Sequence, residues 1–216
     1  MEVLKRGYYP KGGGEVHLII NPKFCLYDYD NFASFLEDMN YRTAKINLIK
    51  QGNLEQIRGI VNLSSQLADK EIGERIKKSV KSSLSKYNVP INIRIEYVNT
   101  LSIGGEVNLF GIFSNRGKMN FDNPVIIGSS SLLERGKKSE IIGKEVADKF
   151  VKEISSEAAV DSHLADQLIQ FMGLLPESEI FTSKVTNHSL TNFYVVEKFL
   201  PVGFKVNKNN IKVLEK

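Results

Sequence analysis

Cysteine is almost missing from this 216-residue chain: Cys25 stands alone. Disulfides within the chain and thiolate zinc sites are therefore excluded, and a reducing cytoplasm is the expected setting. Long apolar runs are missing too. Met1-Glu2-Val3-Leu4-Lys5-Arg6 leads into polar sequence without a signal-peptide core, and no stretch approaches the ~18 apolar residues that cross a bilayer. A soluble, cytoplasmic protein with no membrane partner is expected. Charge of one sign is in only slight excess: 29 Lys and Arg face 25 Asp and Glu, a net +4 with a pI near 9.0. That leans weakly toward polyanionic partners and does not decide among them. No HExxH, no paired CxxC and no GxSxG occurs, which sets aside metalloprotease, zinc-ribbon and α/β-hydrolase chemistry.

The remaining composition is ordinary for a globular protein, 42% hydrophobic and 25% charged. The length suits one large domain or a domain with an insert, which folded as one body would bury roughly 70% of its unfolded surface. An extended segment from Glu2 to Tyr9 meets a Pro10–Gly14 turn and a strand from Glu15 to Ile20, and residues 23–42 read as a loop with a short helix. Ala44–Ile49 and Gln56–Asn62 read as strands. In residues 67–87, Leu67, Ile72, Ile76, Val80 and Leu84 recur at helical spacing, with Lys70, Arg75, Lys77, Lys78 and Lys81 around the rest. Those cations read first as a solvated face and second as an RNA-binding strip. Strands follow at Ile91–Val98 and Glu106–Phe113.

A composition shift at Gly128-Ser129-Ser130-Ser131 precedes a helix from Ser139 through Ile154. Beyond a break near Asp161-Ser162 comes a helix with Leu164, Leu168, Phe171 and Met172 on one face. Then follow a strand at Glu179–Val185, a helix at Ser189–Lys198, and strands at Pro201–Val206 and Ile211–Leu214. The fold class expected is α+β. Residues 53–127 read as a compact βαββ-type unit able to make its own small sheet-and-helix layer.

Only three histidines are available for imidazole chemistry. His17 lies in a strand among apolar neighbours and reads as structural. His163 opens His163-Leu164-Ala165-Asp166-Gln167, where helical spacing puts His163, Asp166 and Gln167 on one face. His188 lies in Thr186-Asn187-His188-Ser189-Leu190-Thr191-Asn192, where strand gives way to helix, a place where side chains reach ligands and N–H groups face anions. Taken by themselves, both could be capping or surface residues. Gly12-Gly13-Gly14 runs into a strand rather than into a Lys-Ser/Thr helix start, so tight-turn geometry explains it better than a phosphate loop.

Three segments together resemble one family. They are Arg6-Gly7-Tyr8-Tyr9-Pro10-Lys11-Gly12-Gly13-Gly14-Glu15-Val16, then His163 to Gln167, then His188-Ser189-Leu190-Thr191-Asn192-Phe193 continuing through Glu197-Lys198-Phe199-Leu200. In that order and spacing, with Leu133-Glu134-Arg135-Gly136-Lys137-Lys138 as a looser fourth piece, they are similar to the RNA 3′-terminal phosphate cyclases. The likeness runs over nearly the whole chain and is loosest over the middle unit, which matches in position a small domain inserted into the family's larger one. The resemblance thus implies a small α/β insert domain at 53–127 between two pieces of a partial large domain, 1–52 and 128–216. It implies an ATP-dependent ligase that turns an RNA 3′-phosphate into a 2′,3′-cyclic phosphate through a covalent histidine–AMP and an RNA-adenylate.

On the matching positions the resemblance makes His188 the nucleophile and His163, Leu164, Ala165, Asp166 and Gln167 the ATP-binding segment. Asn187, Asn192 and Lys11 fall near the site. Imidazole suits the nucleophile's role, because its lone pair is available near neutral pH without a strong base. Mg²⁺ or Mn²⁺ would arrive with the nucleotide, with no metal ligands expected from the protein. His163 stands where some members carry an aromatic residue beside the base. The resemblance also implies an N-terminal region, in cis or in trans, that supplies further repeats and phosphate contacts. Without it the pieces of the large domain should expose apolar faces and turn over poorly. The alternative implied by the same family is a non-catalytic RNA-binding or ribosome-assembly relative, whose mark is loss of the histidine retained here as His188.

Overall fold

The computed structural model describes residues 1–115, 117, 118 and 120–216. In chain order the elements are β1 (Glu2–Lys5), β2 (Glu15–His17), α1 (Phe32–Arg42), β3 (Asn47–Leu48), β4 (Asn53–Ser64), α2 (Ile72–Leu84), β5 (Ile91–Val98) and β6 (Gly105–Ser114). There follow β7 (Ile126–Leu132), α3 (Ser139–Ile154), α4 (Ser162–Leu174), β8 (Glu179–Phe181), α5 (Asn187–Phe199), β9 (Val202–Asn207) and β10 (Asn210–Glu215). The α+β class expected from sequence is the one observed. Among the described residues no helix is long and apolar enough to cross a membrane.

Contacts divide the chain into two compact units. The first comprises Met1–Ile20, Leu54–Ile112 and Ile127–Ser155. Its sheet has the order β5-β4-β6-β7, with β4 and β5 parallel and joined through α2. Helix α2 lies on this sheet through Gly73, where a Cβ would meet the side chains of Ile95 and Leu63. α3 packs beside α2, and Gly143 allows it: a Cβ there would stand 2.7 Å from the Ile76 carbonyl oxygen. Apolar residues at helical spacing on both helices, Ile76, Val80 and Leu84 with Val146 and Phe150, are fully buried. The long helical stretch at 67–87 is interrupted at Glu71, whose φ of 51° ends a 3-10 turn and starts α2.

Residues Ile127–Ser155 belong to this first unit as well. The composition shift at Gly128-Ser129-Ser130-Ser131 lies within β7, an edge strand beside β6. Its serines are held by α3: Ser129 Oγ donates to the Val146 carbonyl at 2.9 Å, and Lys149 Nζ donates to the Ser130 carbonyl and to Ser131 Oγ. Partners supplied from elsewhere in the fold outweigh the weak strand preference of Gly and Ser.

The N-terminal ribbon β1–β2 is antiparallel, and its turn is as tight as its composition implies. Gly12 and Gly13 have φ of 64° and 78°, and a Cβ on Gly7 would meet the Gly14 nitrogen at 2.4 Å. Arg6 pairs with Glu106 at 2.7 Å, and Glu106 also accepts from Asn62 Nδ2. Burial pushes the nearby Tyr8 hydroxyl up to about 12, with Glu106 adding to the effect and Arg6 opposing it. Val16, Leu18, Ile19 and Ile20 are each more than half exposed.

The second unit comprises Asn21–Asn53, Phe113–Ile126 and Ser156–Lys216. Its sheet runs β3-β8-β10-β9, with β3 and β8 parallel and the other two pairs antiparallel. Helices α4 and α5 cover this sheet around a core that includes Ile169, Met172, Ile180, Phe193, Val196 and Ile211. Phe193 stacks on Phe204, ring centroids 4.7 Å apart, which ties α5 to β9. Gly173 lets the two helices close together: a Cβ there would lie 2.4 Å from Val196 Cγ1.

Candidate functional site

The second unit holds a cleft of about 580 Å³ lined by His163, Leu164, Asp166, Gln167, Gln170, His188 and Asn192. Two helix starts build it. Asp161 caps α4, its carboxylate accepting from the N–H groups of His163 and Leu164. From that start, helical periodicity aligns His163, Asp166, Gln167 and Gln170 along one face. Thr186 caps α5 in a reciprocal box: its Oγ1 accepts from the Ser189 N–H, and its own N–H donates to Ser189 Oγ, each at 3.1 Å. His188 is thus the second residue of α5, in the first turn, with Asn192 one turn on.

Asp166 joins the two starts. It is 8% exposed, and its Oδ1 accepts from Thr186 Oγ1 at 2.7 Å and from Ser189 Oγ at 2.5 Å. Each capping hydroxyl therefore accepts within the box and donates to the same carboxylate. Asn192 Nδ2 adds a bond to the Asp166 backbone carbonyl at 2.8 Å. A buried carboxylate with charge-assisted bonds is strongly held, so the first turn of α5 is fixed to the polar face of α4.

Expected site residues thus divide by position. His163, Leu164, Asp166, Gln167, His188 and Asn192 come together in the cleft. Ala165 belongs to the same segment but is fully buried in the apolar core and does not line it. Asn187 is exposed at the first position of α5, and its carbonyl accepts from Thr191 Oγ1. Lys11 belongs to the first unit, where its N–H donates to Ser102 Oγ at 3.0 Å. Gln170 was not anticipated, although it stands seven residues after His163, and the same periodicity extended by one turn points to it.

The electrostatics of the cleft are specific. Its described lining has two imidazoles, three side-chain amides and the positive end of α5, but no lysine or arginine. Its only carboxylate is turned into the helix seam. Among the described residues no group of three His, Cys, Asp or Glu could hold a metal ion.

Fold and site together define an α+β protein with a histidine at a helix start, facing an amide-lined cleft. Comparison with known proteins is more specific. The RNA 3′-terminal phosphate cyclase family matches residues 1–206, and the chain belongs to that family. It is 34% identical over 208 residues to the RNA 3′-terminal phosphate cyclase of Saccharolobus solfataricus, covering 96% of this chain and 53% of that protein. The corresponding protein of Archaeoglobus fulgidus is 33% identical over 216 residues, covering 98% and 55%. That of Pyrobaculum aerophilum is 34% identical over 209 residues, covering 94% and 51%. The chain spans about half the length of the curated relatives it matches.

Proposed function

We propose that this chain carries the nucleophile and part of the nucleotide-binding surface for ATP-dependent cyclisation of an RNA 3′-terminal phosphate. The observation that supports this most is the meeting of His188 with the His163–Gln167 face in one cleft, within a chain of this family. In the first step an imidazole nitrogen of His188 attacks the α-phosphorus of ATP. A nitrogen–phosphorus bond forms, and pyrophosphate leaves with the electron pair of the bridging oxygen. An oxygen of the RNA 3′-phosphate then attacks that phosphorus and the imidazole recovers its pair. Finally the ribose 2′-oxygen attacks the 3′-phosphorus, AMP departs, and the hydroxyl proton passes to solvent.

The chain's own groups suit the first step. The start of α5 favours an anion beside His188, which suits an α-phosphate. Gln167 and Gln170 offer amides to a nucleoside, and His163 offers a ring that can stack. Mg²⁺ or Mn²⁺ would accompany the nucleotide and neutralise its phosphates. Cations for the pyrophosphate group are missing from the described lining, and positioning with electrostatics supplies most of the rate in phosphoryl transfer. Turnover therefore requires the rest of a full-length cyclase, the N-terminal region that the resemblance implies.

The test is labelling with ATP carrying label at the α-phosphate, with Mg²⁺, in the presence and absence of that portion supplied as a separate chain. Acid-labile label should appear on His188 only when both are present. Robust labelling of this chain by itself would remove the requirement, and label on a His188→Ala chain would remove the nucleophile.

A further inference from the structure

We infer that the groove between α2 and α3 of the first unit binds the sugar-phosphate backbone of the RNA strand, as distinct from its reacting end. The inference rests on RNA being the substrate, as proposed above. The groove has a volume of about 660 Å³. Its walls are set by the tight helix pair: Gly143 meets the α2 backbone, and Ser79 Oγ donates to the Glu140 carbonyl at 2.7 Å. From α2, Arg75, Lys78 and Ser82 recur at helical spacing and reach the groove, with Ser83 beside them; Lys144 faces them from α3.

Charge pairing sorts these cations from their neighbours. Lys77, one residue from Lys78, is held by Glu74, and Lys137 is held by both Glu134 and Glu145. Within the groove Arg75 approaches Glu140 at 3.6 Å, whereas Lys78 and Lys144 form no ion pair among the described residues. Three cations thus face one carboxylate, with the serines Ser82 and Ser83 on the same lining. Lysine and arginine mixed with serine is the donor set that contacts nucleic-acid phosphates. Ile141, 46% exposed, adds an apolar surface for a ribose or a base.

The groove's cations are all exposed and build no enclosed cradle. Exposed charges hold a small anion weakly in water, but along a polyanion each neutralised phosphate adds through counterion release. The geometry therefore suits a strand better than free phosphate. Nothing in these contacts reads base edges, so no sequence preference is expected from them.

The test is fluorescence anisotropy with a 5′-labelled single-stranded RNA of about 15 nucleotides, ending in either a 3′-phosphate or a 3′-hydroxyl. Wild-type chain is compared with Lys78→Glu/Lys144→Glu, with the milder Lys78→Gln/Lys144→Gln, and with Lys205→Gln/Lys208→Gln as a control in the second unit. Reversal at the groove should weaken both RNAs by about tenfold or more at moderate salt. The neutral pair should lower the salt slope by about 1.4, two phosphate contacts at ~0.7 each for a single strand, and the control should change neither. Unchanged affinity and slope in a groove variant with wild-type circular dichroism would overturn the inference. So would a loss confined to the 3′-phosphate RNA, or an equal loss in the control. The measurement needs neither ATP nor turnover, so it stands apart from the outcome of His188 labelling. Should the reversed pair misfold, the neutral pair carries the test.

Discussion

Each unit lays two helices on a four-stranded sheet, and each helix pair closes at a glycine, yet the two seams are chemically different. Between α2 and α3 a neutral hydroxyl, Ser79, bonds to the other helix and an exposed ion pair, Arg75–Glu140, bridges them at the surface, and further polar residues line a groove. Between α4 and α5 a buried carboxylate gathers both hydroxyls of a capping box. The first arrangement makes a surface, and the second fixes the geometry of a cleft. Similar layering therefore says little about where chemistry resides; the polar content of the helix seam says more.

The largest expected effect breaks the comparison at its most reactive point. His188→Ala should reduce adenylyl labelling to background in the reconstituted system while leaving the urea unfolding midpoint close to wild type, because the imidazole is exposed. A strong residual label would move the nucleophile elsewhere.

The seams themselves can be weighed next. Asp166→Ala removes a buried acceptor from two hydroxyl donors and should cost about 2–4 kcal/mol in urea denaturation, against about 1 kcal/mol or less for Ser79→Ala. Asp166→Asn keeps an acceptor oxygen and should fall between them. If Asp166 acts on the site by positioning, Asp166→Asn should lower labelling by more than its loss of stability explains, while restoring more of it than Asp166→Ala. Equal costs for Asp166→Ala and Ser79→Ala would show that the two seams are not energetically distinct.

Steric substitutions sharpen the same contrast. A methyl on Gly143 meets the Ile76 backbone carbonyl, whereas one on Gly173 meets a Val196 side chain. Each should cost about 1–3 kcal/mol after overpacking, with Gly143→Ala the worse because backbone yields less than a side chain. The ordering of thermal midpoints checks this.

The smallest effects are in pH. Tyr8 in the first unit is raised from 10.0 to about 12 chiefly by burial, then by Glu106, against Arg6. Its stabilising contribution is full below the unfolded value near 10 and is lost as pH rises toward 12. Glu197 in the second unit is lowered from 4.5, first by the bond from Lys216 Nζ and then by the Phe204 N–H. Its contribution is present above the ordinary value and is lost as pH falls through the folded one. Tyr8→Phe should flatten the alkaline limb of a stability profile, and Glu197→Gln the acid limb.

Much of the fold was legible because its signals are local. Ile91–Val98 alternates at period two, and Ser139–Ile154 repeats at helical spacing, and both elements lie where those periods put them. The serine-rich β7 was illegible because its partners, β6 and α3, lie elsewhere in the chain. For the same reason the grouping of Ile127–Ser155 with Leu54–Ile112 is not written in the local sequence. In the site, helical spacing pointed to His163, Asp166 and Gln167, and one further turn reaches Gln170. The inward turn of Ala165 was equally readable from the apolar period of α4, but a motif taken as a block hides it.

By itself the sequence determined that disulfides within the chain and multi-cysteine zinc sites are excluded, that elements such as β5 and α3 lie where periodicity places them, and that its imidazoles are few. Only the tertiary structure decided which polar groups meet. It brought His188 to the His163–Gln170 face and spent the Asp166 carboxylate on the cap of α5. The reason is physical: period and composition act over a few residues, while a buried hydrogen bond between Asp166 and Ser189, twenty-three residues apart, exists only after their two helices have packed.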